Sequence, residues 1–235
     1  MAPATAEGRW SILQPPVASP TEMAAARAQQ LLARYGVLTR EVAGAEGIVG
    51  GFSAVYDVLK ALEDAGRIRR GYFASGVGAT QFALPPALDL LRSLKQMPEE
   101  AEVVVLAATD PANPYGTILH WPDLPVIDAA DPTLPRRSTP TRSAGSLIVM
   151  VNGALAAYIS RGARQLLAFL PEEEPARSTT ARALASTLAR FRLLVQEVNG
   201  IPAADHPLAA YLIEAGFNPS AMGFQIRQAG PGRRA

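Results

Sequence analysis

The chain contains no cysteine and only two lysines in 235 residues. Without cysteine there is no disulfide, no thiolate metal site and no cysteine nucleophile. Aromatic residues make up 6% and charged residues 18%, the latter below the usual level of about a quarter. The only histidines, His120 and His206, stand far apart and outside any HExxH pattern, so no metal site is expected. No cofactor is expected either. The longest apolar runs reach about ten residues, whereas a membrane-spanning helix needs about twenty, so no membrane partner is expected. The opening MAPATAEGRW lacks a basic segment followed by an apolar run, which argues against a signal peptide and for a cytoplasmic protein.

Apolar residues, mostly alanine, valine and leucine, make up 49%, enough for a sizeable core in one large or two small domains. The formal net charge is +1, and neither half is a polycation. Any affinity for nucleic acid must therefore come from local clusters, or from a longer protein of which this is a piece.

Punctuation along the chain divides it near residue 97. In residues 1–97, Thr21 is a plausible N-cap for an alanine-rich helix ending at Gly36. Thr39 caps a second short helix. Val55, Val58, Leu59 and Leu62 recur at helical spacing in a third, from Phe52 to Ala65. Gly66 ends it, and Arg67 to Phe73 alternates in strand fashion before a turn at 76–78 and a return strand from Thr80 to Leu84. Three helices followed by a two-stranded hairpin is the order of a winged helix. Residues 98–235 read as an α+β module with a mostly antiparallel sheet: a strand at Val103–Ala107, a polar loop from Asp110 to Gly116, and a long proline-rich loop over 122–143. A hairpin turning at Asn152-Gly153 follows, then a third strand at Gln165–Leu170. A long helix capped by Ser178 or Thr179 extends to about Val198, a shorter one spans His206–Ala215, and a last strand covers Phe224–Arg227.

The hairpin arginines Arg67, Arg69 and Arg70 suit phosphates, which guanidinium groups grip bidentately, or else form a solvated charged surface. Tyr72 could stack on a base or sit half-buried. The outward face of the third helix, with Ser53, Asp57, Lys60, Glu63 and Asp64, is net acidic and argues against reading bases in the major groove. Asp110 follows a strand and could stabilise a sugar cation or activate water, with Asn113 holding a flipped base or a phosphate. Asp-Pro and Asn-Pro are also ordinary turn formers, so a structural turn is the other reading. Arg161 and Arg164 beside Gly162 would extend a basic surface, or form a plain exposed loop. Gln225 and Arg227 share one side of the last strand, as phosphate binders or as ordinary strand polarity.

Several stretches carry a family resemblance: GRWSIL at 8–13, residues 31–73, QFALP at 81–85, ATDPANPYG at 108–116, SLIVMVNGALAAYISRG at 146–162 and EAGFNPSAMGFQIR at 214–227. Together they resemble the C-terminal part of large helicase-related (Lhr-type) bacterial helicases, over nearly the whole chain. The resemblance implies winged helices joined to a β-barrel-like module, similar in fold to DNA glycosylases that unhook interstrand crosslinks. It also implies DNA repair, with DNA (or RNA) and a helicase core, in the same or a separate chain, as partners. Some members of the family are associated with uracil excision. The chain has no GxxxxGK[ST] loop and no DExH box, so it is not the motor. Uracil-excising members are associated with an aspartate near the extreme C-terminus, whereas the last acidic residue here is Glu214. The leading expectation is a non-motor DNA-binding domain, and the alternative is a glycosylase acting on a flipped base.

Overall fold

The computed structural model describes residues 11–12, 17–94, 98, 100–124, 139–162 and 165–226. The chain divides into two compact units, residues 1–91 and 92–235, each with its own core. Together they make an α+β protein.

In the first unit, α1 (Pro20–Tyr35) starts two residues earlier than Thr21 suggests. Ser19 is the N-cap. Its hydroxyl accepts from the Glu22 amide, and the Glu22 carboxylate accepts from the Ser19 amide at 2.8 Å, a reciprocal capping box. Pro20 fits the first helical position because no amide donor is needed there. β1 (Val37–Leu38) leads to α2 (Arg40–Ala45), whose N-cap Thr39 accepts from the Val42 amide at 3.3 Å. α3 (Ser53–Asp64) buries Val55 and Leu59. β2 (Arg69–Gly71) and β3 (Gln81–Ala83) join β1 in an antiparallel sheet of order β1-β3-β2. The rings of Phe52, Tyr56 and Phe82 meet at about 6 Å between α3 and this sheet.

The hairpin ladder is shorter than the alternation over 67–73 suggests. Beyond Gly71 a buried side chain replaces it. Gln81 accepts from the amides of Phe73 and Ala74 at 2.8 and 2.9 Å and donates to the carbonyls of Ala74 and Gly78. α4 (Pro85–Ser93) begins on the two prolines, which are tolerated in a first turn.

The second unit holds six strands in sheet order: β4 (Val103–Ala107), β5 (Leu147–Val151), β6 (Ala154–Ile159), β7 (Gln165–Ala168), β8 (Glu197–Val198) and β9 (Ile201–Pro202). Neighbours are antiparallel except β7 and β8. The sheet is open, with β4 and β9 at its edges, rather than barrel-like. Its last two strands are two residues long and do not return to β4. β4 is an edge strand with Val104 exposed, not the buried strand its apolar run suggests.

Alternation along β5 and β6 sends Val149 and Ala157 to one side, and Ile148 and Tyr158 to the other. The first side meets α5 (Ala176–Arg190) and α6 (Ala209–Glu214) through Leu184, Leu188 and Leu212. A hairpin of β10 (Phe217–Ser220) and β11 (Gly223–Ile226) adds Phe217 and Phe224 to this core. α5 stops at Arg190 instead of running on to Val198.

Candidate nucleic-acid interface

β2 is the edge of its sheet, and the three hairpin arginines lie on or just before it. Arg67 sits in the turn after α3. Its side chain and those of Arg69 and Arg70 are exposed. Ile68 is buried, so strand alternation turns Arg70 toward α3 and Arg69 away from it. Arg70 accordingly pairs with Glu63 of α3 at 3.3 Å. Among the described residues Arg67 and Arg69 have no ion-pair partner. Tyr72, just past β2, is 65% exposed. The strand edge thus presents two unpaired guanidinium groups, a third shared with a carboxylate, and an open aromatic ring.

The neighbouring surface is different in sign. Ser53, Asp57, Lys60 and Asp64 of α3 are exposed, with two carboxylates against one ammonium. A groove of about 780 Å³ between α2, α3 and the wing loop is lined by Arg40, Glu41, Phe52, Tyr56 and Asp57. Burial alone would raise the Glu41 carboxyl, but hydrogen bonds from backbone amides and the Thr39 hydroxyl outweigh it and hold the pKa below the usual carboxylate value. With Glu41 ionised, the groove's lining carries the two carboxylates Glu41 and Asp57 against the one guanidinium of Arg40.

In the second unit the Asp110–Gly116 loop is a packed turn. Asp110 Oδ1 accepts from the Ala112 amide at 2.8 Å. Asn113 is 1% exposed. Its Nδ2 donates to the Ala108 carbonyl and its Oδ1 accepts from the Tyr115 amide, so both ends of the side-chain amide hold the turn. The residue that sequence reasoning missed here is Arg142. Its guanidinium donates to the carbonyls of Asn113 and Asp110 at 2.7 and 2.9 Å, and to those of Tyr115 and Thr109 at longer range. No local pattern signals it, because its partners lie 27–33 residues away.

Tyr115 of this loop stacks on Trp121, which in turn meets Tyr158 edge to face. The Tyr158 hydroxyl donates to Ser146 Oγ at 3.0 Å, and Ser143 lies 3.0 Å from the same oxygen. Burial would raise the Tyr158 pKa, but these hydroxyls and that of Thr141 bring it below the usual phenol value. This hydroxyl network ties the 139–146 segment to β6.

The remaining expected contacts are scattered. Arg161 is exposed at the turn after β6, its aliphatic stem lying over Gly145. Gln225 is exposed on β11 opposite Asn218. Arg164 and Arg227 lie outside the described residues. Among the described residues no group of three or more His, Asp or Glu side chains is placed to hold a metal ion, and no helix is long and apolar enough to cross a membrane.

Comparison with known proteins gives these two units a context. Residues 17–103 match the winged-helix domain of the large helicase-related protein. A Mycolicibacterium smegmatis protein named Lhr helicase/probable uracil glycosylase is 41% identical over 95% of the chain, which covers 15% of that protein. An Escherichia coli protein named Lhr helicase/uracil glycosylase is 37% identical over 92% of the chain, which covers 14% of it. The chain therefore spans about one seventh of the length of these relatives.

Proposed function

We propose, for a chain that belongs to the large helicase-related (Lhr-type) family as one portion of its long members, a role in holding DNA rather than driving along it. The winged-helix half, residues 1–97, grips the phosphates of single-stranded or junction DNA with its wing. The β-rich half, residues 98–235, takes part in the same task of DNA repair. The helicase core, fused or separate, supplies the ATP-driven motion, and the setting is the bacterial cytoplasm. Relatives named as helicases and a sequence without ATPase motifs support this division of labour.

One observation carries the reading: Arg67, Arg69 and Tyr72 are all exposed on or beside the edge strand β2, and no carboxylate neutralises the two guanidinium groups among the described residues. Guanidinium groups there contact phosphates and position the strand without reading its sequence. The acidic face of α3 supports the same conclusion, since a helix carrying Asp57 and Asp64 is repelled from a phosphate-lined groove.

Fluorescence anisotropy with a labelled single strand and a labelled fork tests it. Binding should fall steeply between about 50 and 200 mM salt. Replacing Arg67, Arg69 and Arg70 together by alanine should weaken it about tenfold or more, and flatten the salt slope by about 0.7 for each phosphate no longer neutralised. A triple variant that binds like the parent removes the wing from the interface.

A second reading, excision of a damaged base, is favoured by the relatives' names alone. Asp110→Asn is a clean probe, because asparagine keeps the acceptor that the Ala112 amide needs. On the first reading, parent and variant both leave a uracil-containing strand intact. Alkali-labile sites made by the parent and not by the variant would instead place catalysis at Asp110.

A further inference from the structure

α5 ends in a place where the backbone favours glycine and the sequence supplies arginine. The Arg192 amide donates to the Ala189 carbonyl at 3.0 Å, and the Leu193 amide reaches back to the Leu188 carbonyl at 3.4 Å. These two bonds are the paired closure of a Schellman cap, in which the residue after the C-cap adopts left-handed geometry. The C-cap is Phe191, and Arg192 has φ +51°. Glycine takes that conformation without cost, whereas a Cβ crowds the following carbonyl. Two other non-glycine residues with positive φ, Asn152 and Asn199, are asparagines in tight turns, where such geometry is ordinary.

The neighbouring side chains show what arginine could add there. Phe191 is 51% exposed, although Leu188 and Leu193 on either side of it join the core. Arg190 and Arg192 are both exposed, and among the described residues neither has a hydrogen-bond or ion-pair partner. Arg182, one face of α5 away, is already committed to Glu214 and to the Tyr211 ring. Arg190 by itself is accounted for by favourable charge at a helix C-terminus. Arg192 lies beyond the helix at a positive φ that favours glycine, and Phe191 leaves half of its surface open to solvent. An exposed phenyl ring flanked in the sequence by two exposed, unpaired arginines supplies the chemistry a single strand calls for, a stacking surface and phosphate binders. The cap is also tied to β11, which carries the exposed Gln225: Val195 and Phe224 exchange backbone hydrogen bonds at 2.9 and 2.8 Å.

We propose that Arg190, Phe191 and Arg192 form a second contact point for single-stranded nucleic acid, with a base stacked on Phe191 and the adjoining phosphates held by the two arginines. This rests on the reading of the chain as a nucleic-acid holder and adds a site on the second unit, separate from the wing.

Arg192→Gly separates function from folding, because the two should move in opposite directions. In the whole chain this variant should melt at the same temperature as the parent or about 3 °C higher, yet bind a labelled oligothymidylate several-fold more weakly. Phe191→Ala should weaken binding about tenfold, and Phe191→Trp, which keeps a stacking surface, should restore it. Unchanged binding by Arg192→Gly and Phe191→Ala, with the wing triple variant still impaired, would overturn this site and leave the wing reading standing. A lower melting temperature for Arg192→Gly would overturn it too, by giving Arg192 a structural task. A parent chain that binds no single strand would sink both readings together.

Discussion

At the residue scale, the second unit is held by polar side chains whose protonation and geometry are fixed by burial. His206 is 8% exposed. Its Nδ1 accepts from the Leu208 amide at 3.1 Å, and its Nε2 lies 3.4 Å from Asn199 Nδ2. Burial disfavours the charged ring and moves its pKa below the usual 6.5. The sign of the linkage follows. Above 6.5 both folded and unfolded histidine are neutral and the shift has no effect. As pH falls below 6.5 the unfolded chain binds a proton that the fold resists, and stability drops until the folded value is passed. The melting temperature of the second unit should therefore decline as pH falls below about 6.5. His206→Asn, whose side-chain oxygen can replace the Nδ1 acceptor, should remove part of that decline. Identical pH profiles for parent and variant would show that His206 is not its source.

At the element scale, the β10–β11 hairpin is bolted to the chain leaving α5 by one glycine. A Cβ on Gly223 would stand 2.4 Å from the Val195 carbonyl oxygen, and its φ is +108°. Both effects act against any side chain there, so Gly223→Ala should destabilise the second unit by about 2 kcal/mol or more. Calorimetry would register this as a lower second-unit transition. An unchanged transition would mean that the bridge between Val195 and Phe224 yields at little cost.

The same segment shows where sequence reading stops. The end of α1 and the start of α2 were legible, because Gly36 and Thr39 are residues whose chemistry marks a boundary, whereas the start of α1 falls on Ser19, two residues before the expected Thr21. The end of α5 was not. Its stop falls on Phe191-Arg192, neither of which breaks a helix, and only tertiary packing of Leu193 and Val195 into the core turns the chain there. An arginine in a glycine position is invisible until the backbone is seen.

On the scale of the whole molecule, the order of elements was legible and the closure of the second sheet was not. Hydrophobic period and turn residues located β5, β6 and the Asn152-Gly153 turn between them. Whether a sheet closes depends on pairings between strands distant in sequence, such as the parallel match of Gln165 with Glu197, which no local pattern encodes. The candidate interface divides likewise. The wing arginines could be found from their spacing, whereas the internal employment of Asn113, and Arg142 reaching across 29 residues to it, could not.

The two Asn-Gly turns of the second unit also set a chemical lifetime. Such a step ages by attack of the glycine nitrogen on the asparagine side-chain carbonyl, which expels ammonia and leaves a cyclic imide that water opens to aspartate or isoaspartate. Asn152 Oδ1 is held by the Glu102 amide at 2.8 Å, and the Asn199 amide bonds Ala168 in both directions, at 2.8 and 3.0 Å. Ring closure at either site must first release those bonds, so deamidation waits on opening of the turn. Conversion at the buried Asn199 would set a carboxylate against the Ala168 carbonyl. Slow ageing at these two turns is thus a clock that runs only while the sheet is locally open.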